Sequence, residues 1–297
     1  MTKHSGKTIT VSGKTRVIDC KACGFPHVHP LPTLEALNEF YEKRFYQDVK
    51  TSYFSDYERD EAWWTLNYNW LIDEFGNHLK VNKKTKVLDI GSGPGLFVDA
   101  AARRGLNVTG IEPSREAFEY STGKFKNKIL NTTLEELDPE DKYDIIHSSL
   151  VLEHILDPLA FLKKSRTMLV KGGLMCIIVP NDFNPIQQAV KAMGKPEWWI
   201  SPFEHLNYFN MRALRKLFQK AKFKVVHESV TFPIDLFLLM GQDYLNNGDI
   251  GKACHAMRKT FEFNIERTGN TRLKDELYKS FAKLDIGREL VIIGRKL

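Results

Sequence analysis

A glycine-rich loop and a downstream acid are the sharpest chemical features of this 297-residue sequence. The loop reads Asp89-Ile-Gly91-Ser92-Gly93-Pro94-Gly95 and follows an apolar run, and Glu112 ends the next apolar run. Glycines let the backbone turn tightly and approach a ligand closely. A carboxylate at the position of Glu112 can accept hydrogen bonds from both hydroxyls of a ribose. Together they predict a site for a cofactor that contains a nucleoside.

Two details distinguish this loop from a dinucleotide-binding loop of the form Gly-x-Gly-x-x-Gly. That pattern needs a glycine at position 96, where this sequence has Leu96. Asp89 stands just before the loop, and its carboxylate suits a cationic ligand better than a pyrophosphate. A nicotinamide-dependent dehydrogenase is therefore a rival that Leu96 argues against.

Two Glu-His pairs are candidates for general acid–base chemistry. Glu153-His154 follows a predicted strand, and Glu204-His205 precedes a predicted amphipathic helix. Histidine titrates near neutral pH, so either ring can take a proton from a nucleophile. We expect Glu204 to stabilise the imidazolium of His205, which requires a turn because successive residues of an extended chain point apart. The alternatives are His154 as the base, or a structural role for both rings.

A Cys20-x-x-Cys23 motif is a candidate metal site. Zinc takes four ligands, and His4, His27 and His29 are the nearby nitrogen donors. In an extended chain His27 and His29 point to one face, so the preferred ligand set is Cys20, Cys23, His27 and His29, with His4 as a further donor. No second cysteine pair lies nearby, so two reduced thiols without metal are the alternative.

Apolar periodicity predicts the elements that position these residues. Strand-like runs alternate with amphipathic helices from residue 84 to residue 230, which is typical of an α/β fold with helices on both faces of a parallel sheet. A single helix is predicted from about Tyr57 to Leu79. The predicted order along the chain is a hairpin and CxxC knuckle at 1–32, a helical cap at 33–80, a Rossmann-like core at 81–230 with a lid at about 181–205, a helical insertion at 231–286 and a final core strand at 287–297.

Composition and charge narrow the function classes. With 42% hydrophobic and 27% charged residues the composition is that of a globular protein, and no apolar run approaches the roughly 18 residues of a membrane helix. The first residues lack the apolar stretch of a signal peptide, so a cytoplasmic location is expected. The net charge of +6 is spread without a basic block, which does not favour a nucleic-acid partner.

These features together resemble the class I S-adenosylmethionine-dependent methyltransferases. Beyond the 89–95 loop and Glu112, the matching stretches are Tyr143-Asp-Ile-Ile-His-Ser-Ser, Leu152-Glu-His-Ile-Leu-Asp-Pro and Leu169-Val-Lys-Gly-Gly. The resemblance covers about residues 84–230 and the final strand, and it implies the seven-stranded Rossmann-like sheet of that class. It also implies a set of cofactor-binding residues: Asp89, Gly91, Ser92, Gly93 and Gly95 at the amino-acid part, Glu112 and Pro113 at the ribose, Thr133, Leu134 and Glu135 at the adenine, and Ser148.

The resemblance further implies methylation of a small molecule, at an oxygen or carbon of a sugar or natural-product intermediate. Glu204-His205-Leu-Asn-Tyr208 is similar to a segment of sugar C-methyltransferases in which the histidine is the proposed base. Quinone O-methyltransferases bind a divalent metal through Glu-x-x-Glu-His, whose first acid is Leu150 here. The knuckle resembles half of a zinc-ribbon appendage that precedes some of these enzymes. A nucleic-acid methyltransferase and a catalytically inactive binding module remain as rivals.

Overall fold

A computed structural model describes residues 4–13, 15–43, 53–125, 128–202 and 204–297 of the chain. A small antiparallel sheet near the N-terminus has the strand order β1-β2-β3. Its strands are β1 (Gly6–Ser12), β2 (Thr15–Cys20) and β3 (Phe25–His29). The hairpin expected from the sequence is therefore extended by a third strand, which begins directly after the CxxC turn.

Three helices follow the small sheet: α1 (Leu34–Lys43), α2 (Tyr53–Arg59) and α3 (Glu61–His78). The prediction of a single helix from Tyr57 to Leu79 is wrong, because the helix is interrupted at Asp60, between α2 and α3. The buried Asp60 carboxylate accepts hydrogen bonds from His255 and Lys259, which belong to a distant helix. These partners hold the Asp60 side chain between α2 and α3, and no local pattern reveals them.

The large sheet has seven strands in the order β6-β5-β4-β7-β8-β10-β9. Strands β4 to β8 run parallel, and β10 runs antiparallel between β8 and β9. The strands are β4 (Lys86–Ile90), β5 (Asn107–Ile111), β6 (Ile129–Leu130), β7 (Tyr143–Ser149), β8 (Leu169–Pro180), β9 (Phe223–Val230) and β10 (Glu289–Lys296). This confirms the Rossmann-like α/β fold, with β6 as a strand that the sequence did not reveal.

Helices cover both faces of this sheet, and adjacent strand residues explain why. Val87 and Ile145 belong to one buried apolar cluster, whereas their neighbours Leu88 and Ile146 belong to another. Because successive strand residues point to opposite faces, both faces are buried. The helices after β4 are α4 (Leu96–Arg103), α5 (Arg115–Lys124), α6 (Pro158–Met168), α7 (Pro185–Ala192), α8 (Met211–Lys220), α9 (Leu236–Leu239), α10 (Gly248–Arg267) and α11 (Thr271–Lys283). Among the described residues, no helix combines the length and apolarity needed to cross a bilayer.

The small sheet is joined to the core through β3. The Val28 amide donates to the carbonyl of Leu206 at 2.9 Å, and the Tyr208 amide donates to the carbonyl of Pro26 at 3.0 Å. Residues 206–208 therefore lie alongside β3 as a short antiparallel partner. This contact places the N-terminal sheet directly behind the segment that carries Glu204 and His205.

Candidate active site

A cleft of about 1440 Å³ lies at the carboxyl ends of β4, β5 and β7, where open α/β sheets bind their ligands. We call one side the cofactor half, which is lined by the glycine loop, Glu112 and residues 131–136. We call the other side the acceptor half, which is lined by residues of five segments: Glu153, His154, Asp182, Trp198, Trp199, Glu204, His205, Arg288 and Glu289. The fold thus brings most of the predicted cofactor residues and both Glu-His pairs into one cavity, whereas Gly95 and Ser148 do not line it.

The glycine loop owes its shape to left-handed backbone. Gly91, Gly93 and Gly95 have φ angles of 73°, 49° and 80°, which glycine adopts without steric cost. A Cβ on Gly91 would lie only 2.4 Å from Cγ2 of Val151 in the loop after β7. The Gly91 amide donates to the carbonyl of Ile111 at 2.9 Å, which ties the loop to the end of β5. Both the backbone angles and the close approach therefore require glycine.

Glu112 is buried at the end of β5 and already holds two backbone amides. Its Oε2 accepts from the Gly93 amide at 2.8 Å, and its Oε1 accepts from the Ser114 amide at 2.9 Å. Burial raises the pKa of this carboxyl to about 7, although both amides act to lower it. The Asn131 side chain donates to the carbonyls of Glu112 and Pro113 at 2.9 and 3.0 Å and so fixes this corner. Each carboxylate oxygen keeps a second lone pair for a ribose hydroxyl.

The stretch predicted to flank the adenine also lines the cofactor half. Thr133, Leu134 and Glu135 all contribute to the cleft wall, and the Leu134 side chain is buried. The Thr133 amide donates to Oε2 of Glu136 at 3.0 Å, which shapes the turn. This stretch therefore lies in the same half of the cleft as Glu112.

Ser148 is placed differently from the expectation. Its hydroxyl donates to the carbonyl of Ile90 at 3.0 Å, and its side chain does not line the cleft. Side chains alternate along a strand, so the cleft is lined instead by the neighbours His147 and Ser149. The structure therefore does not bring Ser148 into contact with the cofactor half.

His147 is a site residue to which the sequence assigned no role. Its Nδ1 lies 2.7 Å from Oδ1 of Asp89, and the two residues are only 1% and 2% exposed. The ring stacks on Phe97 with 3.9 Å between ring centroids, and the Ser92 hydroxyl donates to the Asp89 carbonyl at 3.3 Å. Asp89 is thus paired with a ring from β7 in the floor of the cleft. The available signal was a polar ring inside the apolar run 143–149.

The two candidate bases face each other in the acceptor half. His154 ends a 3₁₀ turn (Leu152–His154) after β7. The amides of Glu204 and His205 both donate to the carbonyl of Ser201, at 3.0 and 2.8 Å, so the turn that this pair requires is present. The ring centroids of His154 and His205 are 5.3 Å apart, and Nδ1 of His154 donates to the carbonyl of Glu204.

Comparisons with known proteins identify the family of the chain. A family model described as a methyltransferase domain matches residues 56–228, which is more than half of the chain. The chain belongs to this methyltransferase family. It is 36% identical over 101 residues to a ubiquinone biosynthesis O-methyltransferase of Bradyrhizobium diazoefficiens, a match that covers 32% of this chain and 40% of that protein. It is 29% identical over 154 residues to the Actinobacillus pleuropneumoniae protein of the same name, covering 44% of this chain and 65% of that one. Each match spans less than two thirds of the relative's length.

A solved structure shows the same fold. Phosphoethanolamine N-methyltransferase 2 of Haemonchus contortus, in complex with phosphomonomethylethanolamine and S-adenosylhomocysteine, superposes with a TM-score of 0.57 at 15% identity. The superposition covers 91% of this chain and 62% of that chain. At this identity the likeness shows the methyltransferase fold alone.

A buried carboxyl lies beside the two histidines of the methyltransferase cleft. Oε1 of Glu153 is 3.8 Å from Nε2 of His154, and Glu153 is 1% exposed. Burial raises the pKa of Glu153 well above its usual range. One ligand atom from each of Glu153, His154 and His205 lies within 4.8 Å of the other two, so these side chains also form a candidate cation group.

Aromatic and charged side chains complete the acceptor half. Trp198 and Trp199 pack edge to face with 4.8 Å between ring centroids and give one apolar wall. Asp182, Arg288 and Glu289 give a polar wall. Burial raises the pKa of Asp182 to about 7, and the positive charge of Arg288 lowers it in part. A polar small molecule with one apolar face fits such a lining.

The CxxC motif belongs to a second group of possible ligands, which we call the knuckle cluster (His4, Cys20, Cys23 and His27). Nδ1 of His4 lies 3.1 Å from Nε2 of His27, 3.4 Å from Sγ of Cys23 and 3.7 Å from Sγ of Cys20. The Nδ1–H of His27 donates to the carbonyl of Val28 at 2.7 Å, which turns Nε2 toward the cluster.

His29, which the sequence favoured as a ligand, lies outside this group. In the antiparallel pairing of β2 with β3, His27 is opposite Ile18, whereas His29 is opposite Arg16 and further from Cys20. His4, which precedes β1, takes the fourth position instead. Strands β1 and β2 are antiparallel, so the end of β2 at Cys20 lies beside the start of β1 at Gly6. This pairing brings His4, which precedes β1, to the cluster.

Proposed function

We propose that this methyltransferase transfers the methyl group of S-adenosylmethionine to a small molecule bound in the acceptor half. The observation that carries the proposal is the single cleft in which the glycine loop and Glu112 face the pair His154 and His205. When bound there, the sulfonium supplies an activated methyl group, whose bond to sulfur breaks with the electron pair remaining on sulfur. The Haemonchus contortus structure, which holds S-adenosylhomocysteine, supports the choice of cofactor.

The residues of the cofactor half fit this cofactor. Glu112 offers two carboxylate oxygens, fixed by the Gly93 and Ser114 amides, to the two ribose hydroxyls. Gly91 and Gly93 line the cleft and leave the loop without side chains at these two positions, where the amino-acid part would lie. This half of the cleft binds the cofactor and orients its methyl group toward the acceptor. Such alignment of two reacting groups can by itself contribute much of the rate acceleration of a transfer reaction.

His205 is the proposed general base in the acceptor half. The acceptor loses a proton as its oxygen or carbon bonds to the methyl group, and the imidazole of His205 takes that proton. His154 lies beside it at 5.3 Å between ring centroids and is the alternative base. The buried Glu153 carboxyl adjoins this alternative base, with its Oε1 3.8 Å from Nε2 of His154.

The acceptor is proposed to be a sugar or another polar natural-product intermediate. The polar wall formed by Asp182, Arg288 and Glu289 supports a ligand with several hydrogen-bonding groups. A phenolic acceptor of the quinone type is the second candidate, and it is favoured by the name of the Bradyrhizobium diazoefficiens relative. Both acceptors lose a proton on methylation, so both need the same base.

We further propose that the knuckle cluster holds one structural zinc ion. A tetrahedral site with bonds of about 2.0–2.3 Å places its donors roughly 3.3–3.8 Å apart. The separations of 3.4 and 3.7 Å from Nδ1 of His4 to the two sulfurs lie within that range, and the 3.1 Å to Nε2 of His27 is slightly shorter. Two thiolates and two imidazoles are a ligand set that zinc favours.

Calorimetry and an acceptor screen test the methyltransferase proposal. The protein should bind S-adenosylhomocysteine and not NADH, and it should release S-adenosylhomocysteine when incubated with a productive acceptor. The screen should include nucleotide-activated sugars, phenols and small hydroxy acids. Tight binding of NADH without binding of S-adenosylhomocysteine would overturn the proposal.

With an acceptor in hand, His205→Ala tests the base. We expect kcat to fall roughly 10²–10⁴-fold, the usual contribution of general acid–base catalysis. The affinity for S-adenosylhomocysteine should not change, because His205 lies in the acceptor half. In the wild type the rate should fall at acidic pH as the imidazole becomes protonated. The matched control is His29→Ala, whose ring lies outside both the cleft lining and the knuckle cluster. Full turnover by His205→Ala together with loss of turnover in His154→Ala would assign the base to His154.

A further inference from the structure

We infer that the knuckle cluster is a positioning device for the proposed base, so that its metal sets the rate of methyl transfer and leaves cofactor affinity unchanged. This inference rests on the proposed function, because it treats His205 as the base and zinc as the occupant of the cluster. What carries it is a continuous set of backbone contacts from His27 to the loops that hold both catalytic histidines.

The first contact runs from the metal ligand to the segment after His205. His27 lies in β3 opposite Asn207. The residues on either side of His27 make the two backbone hydrogen bonds of this pairing, in which the Val28 amide donates to Leu206 and the Tyr208 amide donates to Pro26. The position of the His27 backbone therefore fixes residues 206–208 directly.

The second contact runs from that segment to the loop that carries His154. The amides of Leu206 and Asn207 both donate to the carbonyl of Glu153 at 2.9 Å. The Asn207 side chain donates to the carbonyl of Ile155 at 2.7 Å. The segment beside β3 thus holds the backbone on both sides of His154, while its own first residue follows His205.

The apolar cluster within the small sheet is small, and Phe25 of β3 belongs to the main core cluster of the large sheet. The small cluster is formed by Val17 and Val28 together with Tyr208, so one of the three side chains belongs to the catalytic segment. Phe25 also packs across this boundary, with its ring centroid 4.9 Å from that of Phe209. Small units with so small a core of their own are often stapled by a metal or a disulfide. A zinc ion bound by His4, before β1, and by the turn between β2 and β3 would supply such a crosslink.

The experiment uses the full chain, purified without an affinity tag. Elemental analysis should find about one zinc per chain in the wild type and in His29→Ala, and much less in His4→Ala and Cys20→Ser. Hydrogen exchange should show at least tenfold faster exchange of the amides at 206–208 in the two metal-deficient variants. Their affinity for S-adenosylhomocysteine should stay within twofold of the wild type, whereas kcat with a productive acceptor should fall at least tenfold.

The exchange measurement needs no acceptor, so it separates this inference from the proposed function. If Cys20→Ser fails to fold, removal of zinc from the wild type by a chelator, followed by its return, provides the same comparison. A native protein that contains no metal would overturn the inference. A zinc-loaded protein whose amides at 206–208 keep their protection after the zinc is removed would overturn it as well. By contrast, a failure to bind S-adenosylhomocysteine in the zinc-loaded wild type would overturn the proposed function, while the exchange measurement would still decide whether the zinc holds residues 206–208.

Discussion

Replacing Glu112 by glutamine separates two tasks of one side chain. In the structure its two oxygens accept from the Gly93 and Ser114 amides at 2.8 and 2.9 Å. Glutamine keeps the shape but has one carbonyl oxygen, so its NH₂ group must face one of these N–H donors. A buried donor left without an acceptor costs about 1–3 kcal/mol, which should appear as a lower free energy of unfolding. The same donor is unsatisfied with or without ligand, so this cost does not weaken binding.

The loss of binding comes from the ribose. One ribose hydroxyl loses a hydrogen bond to a charged acceptor, an interaction that contributes about 1.5–3 kcal/mol. Glu112→Gln should therefore weaken binding of S-adenosylhomocysteine by roughly 10–100-fold, since each 1.4 kcal/mol corresponds to tenfold. Isothermal titration calorimetry at pH 8 measures this affinity, and urea unfolding measures the stability change.

The pH dependence adds a second test of the same side chain. Burial raises the pKa of Glu112 to about 7 in the protein without ligand. The carboxylate form accepts from both hydroxyls, whereas the protonated form keeps a hydrogen that faces a donor. Wild-type affinity should therefore rise as the pH is raised from 6 to 8, and Glu112→Gln should abolish that rise. The control is Glu119→Gln, an exposed residue paired with Arg115. Binding within twofold of the wild type, with the same pH slope, would refute the assignment of Glu112 to the ribose.

Two further substitutions test the architecture around the cleft. Gly91→Ala should weaken S-adenosylhomocysteine binding and lower the melting temperature, because its Cβ would lie 2.4 Å from Cγ2 of Val151. Adding Val151→Ala should restore part of the affinity and part of the melting temperature. If neither recovers, backbone strain alone is responsible. Glu262→Ala removes the acceptor of two buried donors, the Trp63 indole on α3 and the Tyr278 hydroxyl on α11. Urea unfolding should show a free energy of unfolding lower by about 1–3 kcal/mol for each of these donors. The control Glu276→Ala, at an exposed residue, should change the free energy of unfolding little.

The cofactor half could be predicted because its chemistry is local. The glycine loop needs backbone conformations that glycine alone adopts without strain, so residue type carries the signal directly. Glu112 follows the next strand along the chain, and parallel neighbours end at the same edge of the sheet. Because β4 and β5 are parallel neighbours, the glycine loop after β4 and Glu112 after β5 must lie side by side.

Which side chains of a buried strand face the cleft could not be predicted in the same way. The run Tyr143–Ser149 is covered on both faces, so its apolar residues do not alternate with polar ones and do not show which side chains face the cleft. A shift of one residue exchanges the two faces. The resemblance implied Ser148 as a site residue, and the apolar pattern offered no check on it, whereas the structure lines the cleft with His147 and Ser149.

Long-range partners account for the remaining differences. The break at Asp60 depends on His255 and Lys259, which α10 supplies from the far end of the chain. The choice of His4 over His29 depends on how the hairpin closes, because spacing within β3 gives both of its histidines the same face. Each of these outcomes is decided by tertiary contacts that no window of sequence contains.

The two halves of the cleft therefore respond differently to change. The cofactor half is built from strand ends that the large sheet already aligns, so its geometry depends on few side chains. The acceptor half gathers segments that are distant in sequence, and their backbones meet at Asn207, which contacts the loop of His154 and lies opposite His27. A substitution near Asn207 should therefore move both histidines together, and with them the wall against which an acceptor packs. With His205 or His154 as the proposed base, we expect acceptor choice and base geometry to be coupled in this methyltransferase and cofactor affinity to be independent of both.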